Sequence, residues 1–97
     1  MSECAEDTEG LVTFDDTLDI TMVAAYFEKL TEMLTQYKSI VLNGGDIERI
    51  DGAGLQLLVA FFKAAESLQV TLKWQACSDI VKKSAEISGL TDSLEIG

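Results

Sequence analysis

The chain has no histidine and no proline, two cysteines, and seven lysines and arginines among its 97 residues. Without histidine it lacks the commonest general base, the Ser-His and Cys-His nucleophile pairs, and most transition-metal sites. Cys4 and Cys77 make no metal-binding spacing. Cys4 falls in an acidic N-terminal stretch, Cys77 follows an apparent strand as a small packing residue, and no disulfide is expected. The basic residues are scattered, whereas phosphate-backbone binding needs them clustered to release counterions. Nucleic acid and anionic membrane surfaces are therefore poor partners. No apolar run approaches the roughly 20 residues that cross a bilayer, so no direct membrane insertion is expected. The opening "MSECAEDTEG" has neither the basic start nor the apolar core of a signal peptide, and the expectation is a cytoplasmic protein.

What remains is an ordinary globular composition, 47% apolar and 25% charged, in a chain long enough for one core and one domain. The net charge is −10, and residues 1–19 supply −7 of it through Glu3, Glu6, Asp7, Glu9, Asp15, Asp16 and Asp19. Residues 1–9 read as an acidic, flexible, solvated tail, and residues 10–97 as the domain.

The patterning alternates. "LVTF" (Leu11 to Phe14) reads as a short strand, "DDT" as a turn and "LDI" as a second short strand, with Asp19 or Thr21 able to cap the first helix. That helix is Met22 to Tyr37, where apolar residues repeat at steps of three and four and form one apolar face. "SIVLNGG" (Ser39 to Gly45) is a buried strand paired on both sides. "DIERI" leads to a second helix, Gly54 to about Ser67, apolar nearly all round. "VTLKW" (Val70 to Trp74) reads as a strand and "SDIVKKSAEIS" as a helix capped by Ser78 and stopped by Gly89, with Leu90 and Leu94 docking the C-terminus. The order β-β-α-β-α-β-α predicts an α/β fold of largely parallel strands with helices packed on the sheet.

The stretch "RIDGAGLQLL" (Arg49 to Leu58) holds two glycines at the threshold of the second helix. Functional crevices in such sheets lie beyond the carboxyl ends of the strands, where a helix N-terminus offers free N–H groups. Asp51 can cap the helix, and Gly52, Ala53 and Gly54 leave its first turn almost bare. Three readings stand: tight helix-to-sheet packing; an anion site, opposed by the short G-x-G spacing, the missing lysine and Asp51; or a surface where another protein meets the backbone. Asp46 and Asp51 are carboxylates near the crevice, but no nucleophile, metal set or second catalytic group accompanies them, so no enzyme, metal or cofactor is expected.

"IVLNGGDIERIDGAGLQLLVAFFKAAESLQVTLKW" resembles the centre of a STAS domain, the fold shared by sulfate transporter tails and anti-sigma-factor antagonists. "LVTFDDTLDI" is similar to the family's "LTFxGxLDI" opening, and "CSDIVKKSAEISGLTDSLEI" to its closing helices. The resemblance covers about residues 10 to 96. It implies a four- to five-stranded, mostly parallel or mixed sheet with helices mainly on one face, and a protein-binding module. In the antagonists an Asp precedes a Ser or Thr that a partner kinase phosphorylates. Here the matching position is Gly52 and the next is Ala53, so the usual phospho-switch cannot operate there. Asp19 matches an acidic residue near the first helix, and capping that helix is an equal explanation for it. The variant "DGAGLQLL" is similar to STAS proteins of chemotaxis and two-component systems. The resemblance thus implies a signalling adaptor whose contact residues are Asp19, Asp51, Gly52, Ala53, Gly54 and Gln56. Its partner would be a histidine kinase, chemotaxis protein or anti-sigma factor. The alternative is a STAS subunit of a phospholipid-transport complex, packed on its ATPase. Those versions usually keep a Thr where this chain has Gly52. The oligomeric state is open.

Overall fold

A computed structural model describes residues 9–96; the acidic segment before Glu9, with Cys4, lies outside the described residues. Five strands and three helices occur in the order β1 (Glu9–Thr13), β2 (Thr17–Leu18), α1 (Ile20–Gln36), β3 (Ser39–Gly44), β4 (Arg49–Ile50), α2 (Gly52–Ser67), β5 (Thr71–Cys77) and α3 (Asp79–Ile87). β1 begins at Glu9, a residue that the charge pattern assigns to the tail.

The continuous sheet expected from the sequence is divided in two. β1, β3 and β5 form a parallel sheet with β3 in the middle, and β2 and β4 form a parallel pair of their own. The break arises at the turn after β1. Phe14 N still bonds to Asn43 O at the end of the first sheet, but the chain then bends, and Asp16 O accepts from both Glu48 N and Arg49 N. These bonds align β2 with β4 rather than with β3.

β3 is paired on both sides, as its apolar run predicts, yet only alternate residues are fully covered. Ile40, Leu42 and Gly44 are buried, while Ser39, Val41 and Asn43 are half-buried. The other face of the sheet carries Leu11, Val41 and Lys73 in one row, with Leu11 58% exposed. The helices therefore pack against one face, where Val12, Leu42 and Leu72 meet the inner sides of α1 and α2 in a single core.

α1 starts two residues before the expected Met22, because the "LDI" segment is not all strand. Leu18 ends β2, Asp19 is the cap, and Ile20 is already helical. α3 is capped by Ser78, whose hydroxyl accepts from Val81 N, and stops at Ile87, two residues before Gly89, which takes φ +72°, a conformation suited to glycine. α2 stops without a glycine: Gln69 takes φ 62° while Val70 N donates to Ala65 O.

The C-terminal segment docks through Leu94, fully buried, and through Trp74, whose Nε1 donates to Leu94 O at 2.8 Å. The same indole stacks on Phe62 with ring centroids 6.0 Å apart. Trp74→Phe keeps the stack and orphans the Leu94 carbonyl. A loss of about 1 kcal/mol is expected, with faster amide exchange at Leu94 and Ile96 than elsewhere in the domain. Unchanged protection there would show that packing alone holds the segment.

Candidate functional site

The two-residue pair β2–β4 places the site. Thr17 lies beside Arg49 and Leu18 beside Ile50 in a parallel register. The next residue of each strand is an aspartate, so Asp19 and Asp51 emerge side by side. Each is extended (φ −128° and −113°) and each caps the helix after it. The N-termini of α1 and α2 thus open together at one end of the molecule.

Asp19 Oδ1 accepts from Thr21 N at 3.0 Å and from the Thr21 hydroxyl at 2.5 Å. That hydroxyl bond, helped by backbone N–H groups of Thr21 and Met22 and opposed by desolvation, holds its carboxyl below the ordinary aspartate range. Its folded pKa is depressed, so its contribution to stability is present above the unfolded value and is lost as pH falls through the folded one.

Asp51 does more than cap its own helix. Oδ1 accepts from Gly54 N at 2.9 Å, and Oδ2 accepts from Ile20 N, the first residue of α1, at 3.2 Å. Its own N–H donates to Leu18 O at 3.3 Å. One carboxylate therefore joins the starts of both helices to each other.

The two glycines that look alike in sequence separate completely. Gly54 is buried, and a β-carbon there would run into the Leu18 carbonyl oxygen and lie 3.0 Å from Ile50 Cγ1. Gly52 is exposed, and a β-carbon there would meet nothing within 4 Å. Close packing explains Gly54 and leaves Gly52 unexplained. Ala53 is half-buried and Gln56 is exposed on the same helix. Asp19, Asp51, Gly52, Ala53 and Gln56 thus share one end of the fold, with Gly54 as its support.

Two features of this end were not legible beforehand. Ile20 stands 72% exposed beside Asp51; in the sequence it reads as the last residue of a strand. Asp15, Asp16, Asp46 and Glu48 line a cleft with Thr13, Phe14, Thr17 and Met22, next to the start of α1. Asp15 and Asp16 read as turn residues in the sequence, and only the pairing of β2 with β4 brings them to Asp46 and Glu48. Among the described residues, no group of three His, Cys, Asp or Glu is placed to hold a metal ion, and no helix is long and apolar enough to cross a membrane.

No curated protein matches the chain. The model of the STAS domain family matches residues 3–97. Among solved structures, the chain is similar to the anti-sigma factor antagonist SpoIIAA in its unphosphorylated form, with a TM-score of 0.73 and 19% identity, over 88% of this chain and 76% of that one.

Proposed function

The chain belongs to the STAS domain family, and from that premise we propose that it is a non-enzymatic signalling adaptor that docks a partner protein on the paired N-termini of α1 and α2. The SpoIIAA-like fold supports a protein-binding role of the anti-sigma-factor-antagonist kind. The partner is an anti-sigma factor, histidine kinase or chemotaxis protein, met in the cytoplasm. Asp19, Ala53 and Gln56 contribute contact surface around Gly52, while Asp51 and Gly54 hold that surface in shape.

The observation that carries this reading is the open space over Gly52. The fold does not require a glycine at this exposed position, the first of α2. A contact surface that meets the backbone closely accounts for a residue that packing does not. The same glycine has no hydroxyl, so the adaptor binds without phosphorylation at the junction.

Gly52→Glu is the test. An acidic residue in the first turn suits the helix dipole, so the variant should melt like the wild type. In affinity capture from the native cell extract it should recover at least about tenfold less partner, the loss of roughly 1.4 kcal/mol. Equal recovery by Gly52→Glu would sink the reading. Recovery of a transporter ATPase in place of a signalling protein would move the chain to the transport-subunit reading.

A further inference from the structure

The outward side of α1 carries two large apolar side chains, Ile20 and Phe27, among small and polar ones, where an exposed helix face is ordinarily polar. Tyr26, Leu30, Met33 and Leu34 turn inward and are buried. Ile20, Ala24, Phe27 and Thr31 are all exposed, at steps of four, three and four, which align them in one stripe. Ile20 is 72% and Phe27 55% exposed, and seven residues of helix separate them by about 10 Å. Phe27 stands at the mouth of a groove against α2, lined there by Leu57, Ala60, Phe61 and Ala64.

Charge along this stripe is nearly all of one sign. On α1 and its cap the carboxylates are Asp19, Glu28 and Glu32, against a single cation, Lys29. Asp15, Asp16, Asp46 and Glu48 belong instead to the cleft beside Met22, on the other flank of the helix.

We propose that the Ile20–Phe27 stripe docks an amphipathic helix of the partner protein, one with apolar residues a helical repeat of seven apart and lysine or arginine on its flanks. Helix-in-groove recognition reads apolar anchors at this spacing, and basic flanks match the carboxylates that border it. A second copy of this chain is a poor occupant. Each copy carries −10, and two such rims brought together set like charges against each other. The inference rests on the adaptor reading, because the Ile20 N–H bonds to Asp51 and the stripe therefore starts at the junction itself. It adds the class of partner surface.

The probe is a synthetic amphipathic helix of leucine and lysine, titrated into the full chain at physiological salt and followed by amide chemical shifts. Shifts should centre on Ile20 to Thr31. The double variant Ile20→Ser/Phe27→Ser should weaken binding about tenfold or more, as loss of anchor residues does. Should that variant melt early, Glu28→Gln/Glu32→Gln serves instead, and should lower both affinity and its dependence on salt. A serine-lysine peptide of equal charge should bind much more weakly. Equal binding by the stripe variant, or equal binding of a leucine-glutamate helix, overturns the proposal. So does sedimentation that shows a wild-type dimer abolished by the stripe variant, which would assign the stripe to a second copy. The junction reading is judged separately, by Gly52→Glu. If that variant loses the captured partner while the stripe variant keeps both partner and peptide, only the stripe proposal fails; if neither variant loses the partner, both fail.

Discussion

Gly54→Ala should destabilise the domain by about 3 kcal/mol, the upper part of the range for overpacking, and lower its melting temperature by roughly 12–24 °C for a domain of this size. The obstacle is backbone. A methyl group at this position meets the Leu18 carbonyl oxygen and lies 3.1 Å from Leu18 C, and neither can rotate away as a side-chain tip would. Leu18 is held by its pairing with Ile50 and by the bond from Asp51 N. α2 must therefore back away from the β2–β4 pair, which opens the Asp51 bond to Gly54 N. Gly52→Ala, two residues earlier, is the control. Its methyl group meets nothing, and the lost conformational entropy of glycine should leave the protein equally stable or better by up to about 0.5–1 kcal/mol. Thermal melts of the pair by circular dichroism decide the matter. Coincident curves would mean that Gly54 is not the packing residue of the junction.

Asp51→Ala should cost about 2 kcal/mol, because two helix starts lose an acceptor at once. Each cap is ordinarily worth about 1 kcal/mol. Here one carboxylate serves Gly54 N with one oxygen and Ile20 N with the other. Asp51→Asn separates the two contributions. Its amide oxygen can still accept from Gly54 N, but its NH2 group cannot accept from Ile20 N, so about half of the loss should remain. Urea denaturation gives the magnitudes, and hydrogen exchange at the Ile20 and Gly54 amides shows where they arise. If Asp51→Asn protects the Ile20 amide as well as the wild type, Asp51 does not join the helices. The distinction matters for binding too: a defect in Asp51→Ala reflects a loosened surface, whereas one in Gly52→Glu reflects the surface itself.

The parts legible from residues alone were those with a period. The three- and four-residue steps from Met22 to Tyr37, the apolar run from Ser39 to Gly45 and the capped segment after Ser78 each correspond to an element seen in the fold. β2 and β4 have two residues each, too few to carry any period, and so "LDI" blurred strand, cap and helix. The division of the strands into two sheets was hidden for the same reason, since it depends on Asp16 O meeting Glu48 N and Arg49 N, partners more than thirty positions away.

The candidate site divides in the same manner. Residue types already dictated helices alternating with strands, a net charge of −10 and a junction without a hydroxyl. These are properties of side-chain chemistry and local spacing, and they survive without coordinates. Which glycine packs and which stands open, that Asp51 reaches across to α1, and that Ile20 stands exposed beside it were decided only when the parallel register of Leu18 with Ile50 brought two distant turns together. Contacts of that kind are set by where backbone passes backbone, and two identical residues two positions apart then acquire opposite roles.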